Sequence, residues 1–298
     1  MSIFEENAYT LILNGQNLVA GDTTKSNYVF KFNGTKQFQN TKIALASCSL
    51  FYSWFNISST FNNQSFSFTF TQNAGPITYN VVIPNGFYTV SQLNSYLQSF
   101  CITNGLYLVN ASGNYVYYLE IVENPSAYAI QLNCYPFPTA LPGGWSNPAG
   151  MTFPAVATTP QFIIPALTTS TFSTLIGVNP GTYPNPVQAT TYSKISDTTP
   201  KVNPVENVLI RCSLVNNQLS NPSDVLYSFN ASGVGFGGLV SVQPPEFLYI
   251  DIVEGYYSEL QISFVDQSYN AVSLNDSSIV VQLAFKTKKD GIPARSKN

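Results

Sequence analysis

Between Phe247 and Phe285 the chain alternates apolar and polar side chains with a period of two, and no other feature restricts its fold as much. Leu260, Ile262 and Phe264 share one parity, while Glu259, Gln261 and Ser263 share the other. Asp266-Gln267-Ser268-Tyr269-Asn270 interrupts the run with turn formers. After a second polar break at Asn275-Asp276-Ser277-Ser278 it resumes with Ile279, Val281, Leu283 and Phe285. Successive side chains of a strand point to opposite faces, so the spacing predicts antiparallel strands, each with one buried and one wetter face, arranged as terminal hairpins.

The same signal recurs upstream. Ala8 to Asn14 reads as a first strand, and Tyr28, Phe30 and Phe32 alternate in a second. Lys42 to Phe51 is apolar enough to be covered on both sides. Phe66, Phe68 and Phe70 alternate with Ser and Thr, and Ile77, Tyr79, Val81 and Ile83 continue the meander. One helix is predicted next. Thr89 and Gln92 form a capping box, Val90, Leu93, Leu97, Phe100 and Cys101 share a face, and Gly105 follows the end. Tyr115, Tyr117, Leu119 and Ile121 then share a strand parity.

Seven of the nineteen prolines fall between residues 136 and 165, which reads as loop, because proline cannot donate to a strand ladder. A loop of that length is uncommon in a compact domain unless it has a role, such as a contact arm. Ser170 to Ile176 is expected to make a helical turn ending at Gly177, and Gly181-Thr182-Tyr183-Pro184 a turn. Strands return at Asn207 to Val215 and at Leu248, Ile250 and Ile252. Two strand-rich parts without an internal repeat point to an all-β, antiparallel β-sandwich: a single jelly roll with an irregular Pro-rich insertion and one short amphipathic helix. The expected division is residues 1–105 and 201–286 for the two parts of the jelly roll, 106–200 for the inserted region and 287–298 for a basic tail.

Composition narrows the function. Hydrophobic residues make up 44% of the 298, so most of the chain can build a core, without help from metals or disulfides. Charged residues are only 9%, against roughly 25% in ordinary soluble domains, so Asn, Ser, Thr, Gln and Tyr must cover the surface. So few charges suit a surface covered by partners. Cys48, Cys101, Cys134 and Cys212 are far apart in apolar runs and read as buried thiols of a protein assembled in a reducing compartment. No apolar run is long enough for a membrane span, and the first residues lack the basic and apolar regions of a signal peptide. The six Asn-x-Ser/Thr sequons, at Asn33, Asn56, Asn63, Asn110, Asn230 and Asn275, are then expected to stay unmodified.

Histidine is absent, which removes Ser-His-Asp and Cys-His nucleophiles and the usual zinc ligands. The glycines from Gly233 to Gly238 precede no helix signal and no Lys-Ser/Thr pair, so they read as a surface loop rather than a phosphate loop. Glu246, Asp251, Glu254 and Glu259 cluster in sequence and are the carboxylates a glycosidase could use, and nothing in their surroundings raises a pKa. The forty Tyr and Phe residues would also suit a glycan-binding module, although strand parity places most of them in cores. Neither a catalytic residue nor a cofactor or metal ligand is expected. Net charge is −3, which argues against general nucleic-acid binding. Lys286, Lys288, Lys289, Arg295 and Lys297 nevertheless place five of the twelve basic residues in the last thirteen positions, as candidate contacts to a polyanion or an acidic neighbour.

The chain resembles the penton (minor capsid) proteins of virophages and related polinton-like viruses. The residues that carry the likeness are Ile83-Pro84-Asn85-Gly86-Phe87-Tyr88, Leu175-Ile176-Gly177 and Gly181-Thr182-Tyr183-Pro184. Val208 to Asn216 and Ile262-Ser263-Phe264-Val265-Asp266-Gln267 complete it. The likeness is one of pattern, length and order rather than of a strict signature. It implies a structural, non-enzymatic virion component with a single jelly roll. It further implies a homopentamer at each icosahedral vertex, neighbours made of a double jelly-roll major capsid protein, and assembly inside the host cell rather than secretion. Packaged DNA is then a candidate partner of the basic tail.

Overall fold

A computed structural model describes residues 6–288, with side chains from residue 8 onward. The chain divides into two compact units: the described residues up to Trp54 together with those from Val205, and Phe55–Pro204. The first unit begins with β1 (Glu6–Asn14), β2 (Asn27–Phe38) and β3 (Thr41–Phe51). The second holds β4 (Ser65–Gln72), β5 (Gly75–Val82), α1 (Val90–Thr103), β6 (Leu108–Val109), β7 (Tyr115–Val116), β8 (Leu119–Asn124) and β9 (Ala129–Cys134). It continues with β10 (Gln161–Ile164), α2 (Phe172–Ile176), β11 (Gly181–Tyr183) and β12 (Tyr192–Ile195). The first unit then resumes with β13 (Val208–Cys212), β14 (Val225–Phe229), β15 (Leu239–Val242), β16 (Ile250–Asp251), β17 (Gly255–Asp266) and β18 (Val280–Lys288).

Two antiparallel sheets build the first unit. One runs β1-β18-β3-β15, with β16 also on β3, and the other runs β14-β13-β17-β2. The chain crosses between them from β1 to β2, from β2 to β3, from β14 to β15, from β16 to β17 and from β17 to β18. This order is that of an eight-stranded jelly roll, with β16 as an addition. The alternation that opened the sequence reading explains it: Leu260, Ile262 and Phe264 of β17 and Val281, Leu283 and Phe285 of β18 are all buried. Phe38 of one sheet stacks on Phe285 of the other with ring centroids 5.7 Å apart, so the two inner faces meet. A fully buried phenylalanine of this kind contributes about 1.5–3 kcal/mol.

The expected terminal hairpins are not formed. β17 pairs with β13 and β2, whereas β18 pairs with β1 and β3. The polar stretch between them carries the chain from one sheet to the other. Asp266 starts that crossing by accepting backbone hydrogen bonds from Ser268 (2.8 Å) and Asn270 (2.9 Å). On β3, Ile43, Ala44 and Leu45 are buried in succession, as the apolar run required. A register shift between Gln282 and Leu283 of β18 leaves an extra residue on β3 at Ala46.

The second unit has its own core. β4 lies between β10 and β5 in a four-stranded sheet, and β8, β9 and β12 form a three-stranded one. Phe66, Phe68 and Phe70 point into a cluster with Leu97 of α1, Leu119 of β8, Phe137, Phe162 of β10 and Phe172 of α2. Phe66 stacks on Phe172 at 4.6 Å. The capping box of α1 is present: Thr89 Oγ1 accepts from the Gln92 N–H (3.2 Å) and Gln92 Oε1 from the Thr89 N–H (2.8 Å). α1 ends before Gly105, which takes a positive φ of 66°.

This core moves the unit boundaries. β4, β5 and α1, expected in the first part of the jelly roll, pack with the inserted unit, so the insertion spans 55–204 instead of 106–200. The Pro-rich stretch also contains a strand in the middle of a sheet: β10 pairs with both β4 and β11. Pro160 and Pro165 flank it without interrupting it, and Gly181 to Tyr183 is its partner strand rather than a turn. The Tyr115-to-Ile121 parity run is likewise broken between β7 and β8.

Candidate functional site

The candidate basic residues divide at the end of β18. Lys286 and Lys288 lie on the strand, whereas Lys289, Arg295 and Lys297 fall outside the described residues. Antiparallel pairing sets Lys286 directly opposite Lys42 of β3. Like charges opposite one another are unfavourable on a sheet, and each lysine is drawn to another group. Lys42 Nζ is 3.1 Å from an oxygen of Asp251, and Lys286 Nζ lies 5.2 Å from the centre of the Tyr249 ring.

Beside this pair is a cleft of about 510 Å³ lined by Tyr9, Lys36, Gln37, Gln39, Asn40, Thr41, Thr287 and Lys288. β1 gives Tyr9, the end of β2 gives Lys36 and Gln37, β18 gives Thr287 and Lys288, the turn into β3 gives Gln39 and Asn40, and β3 itself gives Thr41. The Tyr9 ring stacks on Phe285 at 5.1 Å, which anchors the floor to the core. Lys36 Nζ sits 5.6 Å above that ring. Burial pushes the Tyr9 phenol above its ordinary pKa of 10.0, against an opposing hydrogen bond with Thr287, so it stays protonated at neutral pH. The Lys288 N–H donates to the Asn40 carbonyl (3.2 Å), and the Asn40 N–H donates to Glu254 Oε1 (3.1 Å). The Thr41 and Thr287 hydroxyls are 3.1 Å apart. The lining thus offers two ammonium groups, amides and hydroxyls, a set that can hold an anion.

Of the basic residues singled out in the sequence, Lys288 alone lines this cleft among the described residues, and Tyr9, Lys36 and Asn40 were not singled out. No local signal marks those three, because Tyr9 and Asn40 reach Lys288 through long-range pairing within one sheet and Lys36 comes from a strand of the other sheet.

The carboxylates considered for hydrolysis serve separate partners. Asp251 meets Lys42, Glu254 accepts from the Asn40 backbone, and Glu259 stands opposite Lys31 in the strand register. Among the described residues no group of three or more His, Cys, Asp and Glu could hold a metal ion. Gly233 to Gly238 forms a loop before β15, as expected. All four cysteines are free and buried, and burial pushes each thiol up to about 12. No helix among the described residues is long and apolar enough to cross a membrane.

No protein-family model matches the chain, and no curated protein does. Two solved structures overlay loosely on nearly its whole length, and the fold assignment rests on the strand order described above. The selenomethionine-labelled mavirus penton protein aligns with 9% identity and a TM-score of 0.41, over 96% of this chain and 100% of its own. A chain from the cryo-EM structure of the Sputnik virophage aligns with 9% identity and a TM-score of 0.36, over 95% of this chain and 98% of its own.

Proposed function

We propose that the chain is a structural, non-enzymatic subunit of a viral capsid, five copies of which close each vertex of an icosahedral particle beside a double jelly-roll major capsid protein. The sequence resemblance motivates this reading, and the near absence of charge from the second unit carries it. Between Phe55 and Pro204 the only charged side chains are Glu120, Glu123, Lys194, Asp197 and Lys201, and Lys194 pairs with Asp197. A free soluble domain keeps a surface of mixed charges, whereas a surface that neighbours cover does not need one. The exposed apolar residues Ile77, Val82, Ile102, Tyr128, Val156 and Leu167 lie on this unit.

β5 adds an open sheet edge. The Ile83 N–H donates to the Gln64 carbonyl (2.9 Å), and the register then directs the backbone groups of Thr78 and Asn80 away from β4. The Val82 carbonyl, on the same open side, accepts from the Tyr96 hydroxyl (2.8 Å). No lysine or glutamate guards the strand, and such an edge invites pairing with another chain. Light scattering of the purified protein, alone and with the major capsid protein, tests the reading. It expects a species of five times the chain mass or a stable complex. A strict monomer at high concentration that ignores its partner contradicts it.

One observation favours glycan attachment as a second reading. The Tyr115 ring is half exposed, 5.0 Å from Tyr107 and stacked within 11° of Tyr117, which makes a small aromatic platform. A glycan array decides it: retention that Tyr115→Ala abolishes supports this reading, and an empty array rejects it.

A further inference from the structure

We propose that the cleft at the end of the jelly roll grips the phosphodiester backbone of a nucleic acid. Lys36 and Lys288 supply its charge, and both side chains are exposed. Neither forms an ion pair among the described residues. Between them stand Tyr9, Asn40, Thr41 and Thr287, neutral groups of the kind that supplement lysine at phosphate oxygens. The floor is rigid, because the Tyr9 ring is stacked on the buried Phe285.

Charge elsewhere supports the placement. Seven of the twelve basic residues belong to this end or follow it in sequence: Lys36, Lys42, Lys286, Lys288, Lys289, Arg295 and Lys297. Asp251 offsets Lys42, Glu254 borders the cleft through Asn40, and Glu6 stands opposite Lys288 in the backbone register. With Glu5 and Asp290 also adjacent in sequence, seven basic against five acidic residues leave a small local excess of positive charge behind the overall −3. A local field of one sign draws a polyanion even to a protein of opposite net charge. Two ammonium groups interspersed with neutral donors fit the spaced single charges of a phosphodiester chain better than a densely sulfated polysaccharide. The charged contacts are to phosphates, so binding weakens with salt.

The inference does not rest on capsid assembly, because binding is read on the free full-length chain. The probe is a random-sequence duplex DNA, titrated at several salt concentrations and followed by fluorescence anisotropy. The double variant Lys36→Gln with Lys288→Gln should weaken binding on the order of tenfold and flatten the salt dependence by about two counterions. Glu254→Gln should strengthen binding, and Lys201→Gln, in the other unit, should leave it unchanged. A variant with Lys289, Arg295 and Lys297 all changed to Gln separates the tail from the cleft, and both should contribute. The proposal is overturned by absence of binding at low salt or by wild-type affinity in the double variant. A loss confined to the tail variant, or preference for heparin over DNA in competition, also overturns it.

Discussion

Asp22 shows how single polar residues hold the crossings of this sandwich. Its carboxylate accepts hydrogen bonds from the backbone N–H groups of Thr24 (2.9 Å), Ser26 (2.9 Å) and Asn27 (2.8 Å), and from the Thr24 hydroxyl (2.6 Å). Burial alone would raise its pKa, but the hydrogen bonds from Thr24 and Asn27 outweigh it and hold the pKa below the ordinary 3.8. A depressed carboxylate contributes stability that is complete above its unfolded value and is lost as pH falls through the folded value. Asp197 and Asp276 are lowered as well and act in the same direction. Urea unfolding of the wild type should therefore become easier from about pH 5 to pH 2. Asp22→Asn should be less stable at neutral pH and flatter over that range; parallel curves for the two proteins would count against this role. The cysteines were legible at this scale, since each lies in an apolar run. Asp22 was not, because its hydrogen bonds depend on a turn that composition does not specify.

Among the elements, α1 was the most legible, because its cap, its apolar stripe and its terminating glycine all lie within seventeen consecutive residues. Removing the cap hydroxyl with Thr89→Ala should cost about 1 kcal/mol, read from the midpoint of denaturant unfolding. An unchanged midpoint would mean that packing of Val90, Leu93 and Leu97 alone holds the helix. Strands were legible in their faces but not in their partners. The alternation in β17 and β18 marked the buried side chains of both, yet it cannot tell a hairpin from a crossing between sheets. β10 and β11 escaped notice for another reason: they are four and three residues long, and proline borders both. The candidate site shared this limit, for Lys288 was readable as part of a basic run while its neighbours across the cleft were not. The open edge of β5 carries a prediction of its own. Thr78→Lys puts a charge on the exposed face of this edge strand, which guards such an edge, and it should leave folding intact while weakening self-association. Light scattering that shows the same assembly for the variant and the wild type would remove β5 from the contact surface.

Across the whole molecule, charge is distributed very unequally. The unit from Phe55 to Pro204 has five charged side chains, and the jelly-roll unit has the remainder, with a basic cluster at the end of β18. A nearly uncharged surface on one unit and a cationic cleft on the other are what the two proposals require of a subunit that meets protein neighbours through the former and an acidic polymer through the latter. The unit boundaries follow from packing rather than from the density of prolines. The phenylalanines of β4 need Phe137, Phe162 and Phe172 to fill their core, so the insertion begins well before the region where prolines accumulate. The central claim is that this chain is a brick of a closed shell, and the most direct test is cryo-EM of purified particles from infected cells. The account predicts density for this jelly roll and its inserted unit in a ring of five around every fivefold axis. Particles whose vertices are complete without this chain would contradict it.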